Sequence, residues 1–178
     1  MKKVLIIFIL CTVFVQMSYS QNNSVYNNYV GTWKWEHNQT QSEFVITLKK
    51  SKADWTIFDD GLVDCIIGVY KYIKNGVVVI DNSNELSEEK SYIKYPIVIM
   101  GNEQYMSLIV KDYLLKNEYD AFKNLYGSSN VELVEGSNGT QMKWTIIDDG
   151  HQHIYTDERQ IFPSGTSLPT NIILTKVE

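Results

Sequence analysis

Cysteine, proline, histidine and arginine are scarce in this chain: 178 residues hold two cysteines, three prolines, three histidines and a single arginine, Arg159. Cys11 lies in the apolar leader described below, which leaves Cys65 alone. The folded chain therefore has no internal disulfide and draws its stability from core burial. Cys65 stands in the apolar stretch Cys65-Ile66-Ile67 and reads as a buried small hydrophobe rather than a reactive thiol. No stretch reaches the roughly 20 apolar residues of a membrane-spanning helix. Gly-x-Ser-x-Gly is missing, as is a phosphate-cradling glycine loop, and no Ser or Cys shares a known local frame with a histidine and an acid. Nothing in the chain asks for catalysis, and no cofactor is expected. Basic side chains number 16 against 21 acidic ones. That balance repels phosphate backbones and anionic membrane surfaces, which argues against nucleic acid as a partner.

The N-terminus carries what the rest of the chain lacks. Met1-Lys2-Lys3 is followed by an apolar run over 4–15 and by the small-residue pattern Ser18-Tyr19-Ser20 just before Gln21. That is the order of a secretory signal peptide. Polar Gln21, Asn22 and Asn23 follow at once, which favours cleavage over retention as an anchor. Leu10, not a small residue, precedes Cys11, so lipidation is set aside. The expected organisation is a cleaved leader over 1–20 and a single domain over 21–178, working in the periplasm or secreted. Losing Lys2 and Lys3 moves the formal charge from −5 to −7. The sequons at Asn22, Asn38 and Asn138 matter only in a pathway that glycosylates, and the Lys-, Asn-, Ile- and Tyr-rich composition has a bacterial character.

Period-2 alternation dominates the mature chain. Over 31–37, Trp33, Trp35 and His37 share one face and Thr32, Lys34 and Glu36 the other. Over 43–49, Phe44, Ile46 and Leu48 point one way. Further strands are expected at 55–58, 63–73, 77–80, 92–100, 105–110, 131–134, 141–147, 153–155 and 171–177. Turn signals separate them, and Asn75-Gly76 is the sharpest hairpin in the chain. Residues 84–91 and 113–126 are read as short helical turns or polar loops, and 162–169 as an irregular crossing. Trp55-Thr56-Ile57-Phe58-Asp59-Asp60-Gly61 echoes Trp144-Thr145-Ile146-Ile147-Asp148-Asp149-Gly150. The flanking residues do not repeat, so a buried Trp strand ending in an Asp-Asp-Gly turn has been used twice. Many short strands joined by tight turns make an all-β antiparallel meander, closed into a barrel of roughly 8–10 strands.

Candidate chemistry is thin. His151-Gln152-His153 with Asp148, Asp149 and His37 has the donor types of a zinc or copper site, but a polar turn accounts for it, and no metal is expected. Asp81-Asn82-Ser83-Asn84-Glu85 begins like a calcium loop and fails where Leu86 replaces the required glycine. Aromatic content is unusual: four Trp and twelve Tyr, many at strand positions. Trp35, Trp55, Tyr70 and Tyr72 are the expected ligand-lining residues, since flat rings with polar tips suit an apolar or amphipathic guest. Trp33 and Trp144 are expected to fill the core.

The segment Tyr29-Val30-Gly31-Thr32-Trp33-Lys34-Trp35 resembles the Gly-x-Trp opening strand of lipocalin-like (calycin) barrels. The resemblance implies that Trp33 closes one end of the barrel and that a basic residue from the last strand region packs across it. Arg159 lies before the final strand and Lys176 within it. The mature chain, including Gly68-x-Tyr70-x-Tyr72-Ile73-x-Asn75-Gly76 and the ending Leu168-Pro169-Thr170-Asn171-Ile172-Ile173-Leu174-Thr175-Lys176, also looks like a group of exported bacterial lipocalin-like proteins of unknown function. What the superfamily implies is a barrel of about eight strands that holds one small ligand. The expected function is non-catalytic binding of a small hydrophobic or amphipathic molecule. The rivals are a protein-interaction, inhibitor-like module with a filled core and, third, a hydrolase or isomerase on the same scaffold. Protein recovered from outside the cytoplasm of its host is expected to begin at Gln21. Intact mass and N-terminal sequencing check this, and a mature fraction still carrying residues 1–20 would refute the leader.

Overall fold

The structure is a computed structural model that describes residues 25–54, 62–87, 95–102, 105–113, 123–125, 129–147 and 166–177. The leader, the strands expected at 55–58 and 153–155, and both Asp-Asp-Gly turns lie outside the described residues. Ten strands follow in order: β1 (Gly31–His37), β2 (Ser42–Asp54), β3 (Leu62–Lys74), β4 (Val77–Asp81), β5 (Ile97–Gly101), β6 (Met106–Asp112), β7 (Lys123–Leu125), β8 (Asn130–Leu133), β9 (Gln141–Thr145) and β10 (Ile172–Lys176). Residues 25–29 form a short helix, and Asn38–Thr40 and Ser83–Ser87 are single 3-10 turns. No helix among the described residues is long and apolar enough to cross a membrane.

All pairings are antiparallel, and eight of the strands close on themselves in the order β1-β2-β3-β5-β6-β8-β9-β10, with β10 returning to β1. The expected meander barrel is the observed fold. β3 is long enough to take two partners in succession along one edge, β5 at Ile66–Gly68 and β4 at Lys71–Lys74. β7 extends β8 along β6 in the same way. A strand therefore stands at 123–125, where helical turns were one expectation. The edge of β6 near Asp112 has backbone donors and acceptors that must be paired, and a strand meets that need.

The hairpin at Asn75-Gly76 forms as expected, with both residues at positive φ, 53° and 76°, the geometry a two-residue loop needs to match the strand twist. β5 starts at Ile97, directly after Pro96, which has no N–H to give a ladder, and residues 92–94 of the strand expected over 92–100 lie outside the described residues. The Pro96 carbonyl still accepts from Lys111 N at 2.9 Å.

Side-chain alternation sorts the ring into two faces. Trp33, Phe44, Ile46, Leu48, Ile66 and Tyr70 face inward with the alternate residues of β5, β6, β8, β9 and β10 and form one buried cluster. Lys34 turns outward and makes ion pairs with Glu36 and Glu43 at 2.6 and 2.8 Å. Gly68 sits on the inner face opposite Leu48. A Cβ there would lie 2.5 Å from Leu48 Cδ2 and 2.9 Å from Thr47 O, so glycine is what lets β2 and β3 approach at this level. Gly68→Ala is expected to lower stability by roughly 1–3 kcal/mol, the usual cost of overpacking a dense core. An unchanged urea midpoint would contradict that close approach.

Candidate functional site at the open end of the barrel

One end of the barrel is sealed. The 25–29 helix lies there, and the Tyr26 hydroxyl donates to Gly101 O at 3.0 Å and accepts from Gly101 N at 3.3 Å. Trp33 is fully buried, and its Nε1–H donates to Tyr29 O at 2.7 Å. Trp33 also stands opposite Lys176 in the β1–β10 register, with Lys176 Nζ 5.2 Å from the ring centroid. The basic residue across the tryptophan is thus Lys176, from within the last strand. A cation over an indole face adds electrostatic attraction to the packing.

The other end opens by degrees. Along the inner face of β1, Trp33 is buried, Trp35 is partly buried against the core, and His37 is exposed. Trp35 and His37 stack with centroids 6.0 Å apart. Register carries this level across the sheet, Trp35 to Phe44 to Tyr72 to Ile80. Tyr72 keeps 7% of its surface, and burial raises its pKa.

Phe44 is the hub of this row. Its ring lies 5.6 Å from Tyr70, 5.9 Å edge-on from Tyr72 and 5.5 Å from Trp144. Trp33, Phe44, Tyr70 and Trp144 each retain 1% or less of their surface, so at this depth the barrel is packed with side chains.

Tyr70 sits at the seam where β4 replaces β5 beside β3. Its hydroxyl donates to Lys111 O at 2.6 Å and accepts from Tyr113 N at 3.4 Å. Its backbone N–H donates to Asn82 Oδ1 at 2.7 Å, and Asn82 N donates to Tyr70 O at 3.2 Å. Desolvation by burial is the largest influence on the phenol and pushes its pKa well above 10, with the nearby Asp112 charge acting the same way. Asp112, the last inward residue of β6, is fully buried. It accepts from Thr166 Oγ1 at 3.0 Å, Ser167 N at 2.7 Å and Ser167 Oγ at 2.5 Å, and so anchors the segment that leads into β10.

A family of unknown function (DUF6705) matches residues 1–177. The chain belongs to that family. No curated protein and no solved structure matches it, so within DUF6705 the arrangement of residues has to speak for itself.

Of the four residues expected to line a ligand site, Trp35 and Tyr72 lie on one row at the open end. Tyr70 lies one level deeper in the packed interior, and Trp55 is outside the described residues. Phe44 was read as sharing a face with Ile46 and Leu48, and Asn82 as part of a rejected calcium loop, but neither was given a place at the site, and Asp112 was not singled out. Phe44 was legible, since it shares its face with Ile46 and Leu48. Asp112 and Asn82 had no signal, because their partners are 54 and 12 residues away. Cys65 is buried, and desolvation, with Asp64 adding to it, pushes its thiol up to about 11, as suits an inert core residue. Among the described residues no three His, Cys, Asp or Glu side chains gather as a metal set. His37 Nδ1 instead pairs with Thr40 Oγ1 at 2.8 Å. His151 and His153 lie outside the described residues.

Tyr70 makes stability pH-dependent in a defined direction. Its folded pKa lies above the ordinary 10.0, so its contribution is complete below pH 10 and is lost as pH rises from there towards the raised value. Urea titrations are expected to show falling stability above about pH 10. Tyr70→Phe should be about 1 kcal/mol less stable at pH 8 through the lost hydrogen bond, yet decline less steeply in alkali. An equal alkaline slope in both proteins would contradict this role.

Proposed function

We propose that this protein is a non-catalytic, exported lipocalin-like barrel that holds one small hydrophobic or amphipathic molecule across its open end. In this reading the leader is cut after Ser20 and the domain works in the periplasm or outside the cell. The observation that supports it is the gradient along one face of β1, from buried Trp33 through partly buried Trp35 to exposed His37. Tyr72 continues the row across the sheet. Aromatic rings with an apolar body and a polar edge, set at the rim of a rigid sheet, are what a small amphipathic guest needs for contact area and orientation. Beneath the row, Trp33, Ile46 and Tyr70 are each 1% exposed or less and set the depth. The guest lies across the mouth rather than down a shaft.

That same packed layer favours a second reading, a protein-interaction module whose barrel is only a scaffold. The two diverge on a neutral dye. Nile red fluorescence should rise on adding the mature protein, and Trp35→Ala should weaken binding about tenfold, the equivalent of one lost aromatic contact, with an unchanged urea midpoint. Undiminished affinity in folded Trp35→Ala would remove Trp35 from the site. A wild-type protein that ignores the dye would move the argument to a protein partner.

A further inference from the structure

Two tryptophans stand at full burial in the barrel, and their indole nitrogens are treated differently. Trp33 Nε1–H donates to Tyr29 O at 2.7 Å. Trp144 is equally inaccessible, and among the described residues its Nε1 has no hydrogen-bond partner. Leaving such a donor unmade costs on the order of 1–3 kcal/mol, and the contrast with Trp33 shows that this fold can satisfy a buried indole.

Trp144 pairs in register with Ile172 on one side and Val131 on the other, and Phe44 covers its ring at 5.5 Å. An acceptor tethered to an apolar body suits neighbours of that kind. Among the described residues, the two other buried side-chain polar atoms without partners are placed elsewhere. Asn82 Nδ2 belongs to a side chain turned onto the edge of β3, where its Oδ1 accepts from Tyr70 N, and Thr145 alternates to the outer side of β9.

We infer that the molecule held at the open end carries an oxygen acceptor, such as a ketone, ester or amide carbonyl, that meets the Trp144 indole N–H. This rests on the reading of that end as a ligand site. Phe44 lies between Tyr72 and Trp144, at 5.9 and 5.5 Å from their rings. The acceptor end therefore reaches the indole by displacing the Phe44 ring, while the apolar body stays along Trp35 and Tyr72.

The test compares methyl heptyl ketone with nonane, which share a chain length and differ by one carbonyl. In nitrogen-labelled mature protein, Trp144→Phe assigns the indole N–H resonance of Trp144 by removing it. Should that variant fail to fold, contacts to the Ile172 and Val131 methyls assign the signal in the wild type. The ketone is expected to move this resonance downfield and slow its exchange with deuterium, while nonane does neither. Trp144→Phe should bind the ketone about tenfold more weakly, as for one lost buried hydrogen bond, and nonane unchanged. If both probes bind and affect the indole alike, the acceptor is overturned and the open-end site stands. If neither binds the folded wild type, the open-end site falls and the acceptor with it.

Discussion

Closing the sheet into a ring requires the first and last strands to find each other across nearly the whole chain, and Trp33 is the residue at which they do. It is fully buried, it faces Lys176 of β10 in register, and its indole donates to Tyr29 O at the end of the 25–29 helix. One side chain thus joins the helix at 25–29, the first strand and the last. Closure leaves the eight ring strands without a free edge over the paired length, removing the exposed backbone groups that invite aggregation. It also fixes which way β1 faces. With Trp33 inward, Trp35 and His37 must follow it at two-residue steps toward the opposite end.

The two ends of the barrel then differ for physical reasons. At the sealed end, hydrogen bonds from Tyr26 and Trp33 and the cation of Lys176 leave few polar groups unsatisfied. At the open end, the inner face of β1 loses burial step by step. Asp112 accepts hydrogen bonds from Thr166 and Ser167, whereas Trp144 Nε1 has no partner among the described residues. Native interiors satisfy the large majority of their buried donors, so an exception next to a graded opening is where function is best sought. The outer surface is not uniformly polar either. Cys65, Ile67, Tyr95 and Val98 form a second buried cluster on the reverse side of β3 and β5. Two-sided burial explains why 63–73 and 97–100 read as near-continuous apolar runs instead of alternating ones.

Much of this was legible in the residues. The span of β1, the β3–β4 hairpin with its two positive φ angles, and the inward set Phe44, Ile46 and Leu48 follow from period-2 alternation and from Asn-Gly chemistry, which act within a few residues. The lone thiol was legible as core, and burial holds it as inert. Other features had no local signature. Between Arg159 and Lys176 as the cation at Trp33, only the β1–β10 register chooses. Tyr70 looked like a rim residue because it shares a face with Tyr72, and one pleat of depth separates a packed ring from a partly accessible one.

The sequence by itself determined which side chains share a face, where the chain must turn, and that the product is an antiparallel all-β barrel, because those properties depend on backbone geometry between near neighbours. Only the tertiary structure decided which face is inward, which end is sealed, that Asp112 anchors the approach to the last strand, and that Trp144 is left without an acceptor among the described residues. Those are set by pairing between residues tens of positions apart, whose register is selected by the burial of whole faces at once and leaves no mark on any single stretch of sequence.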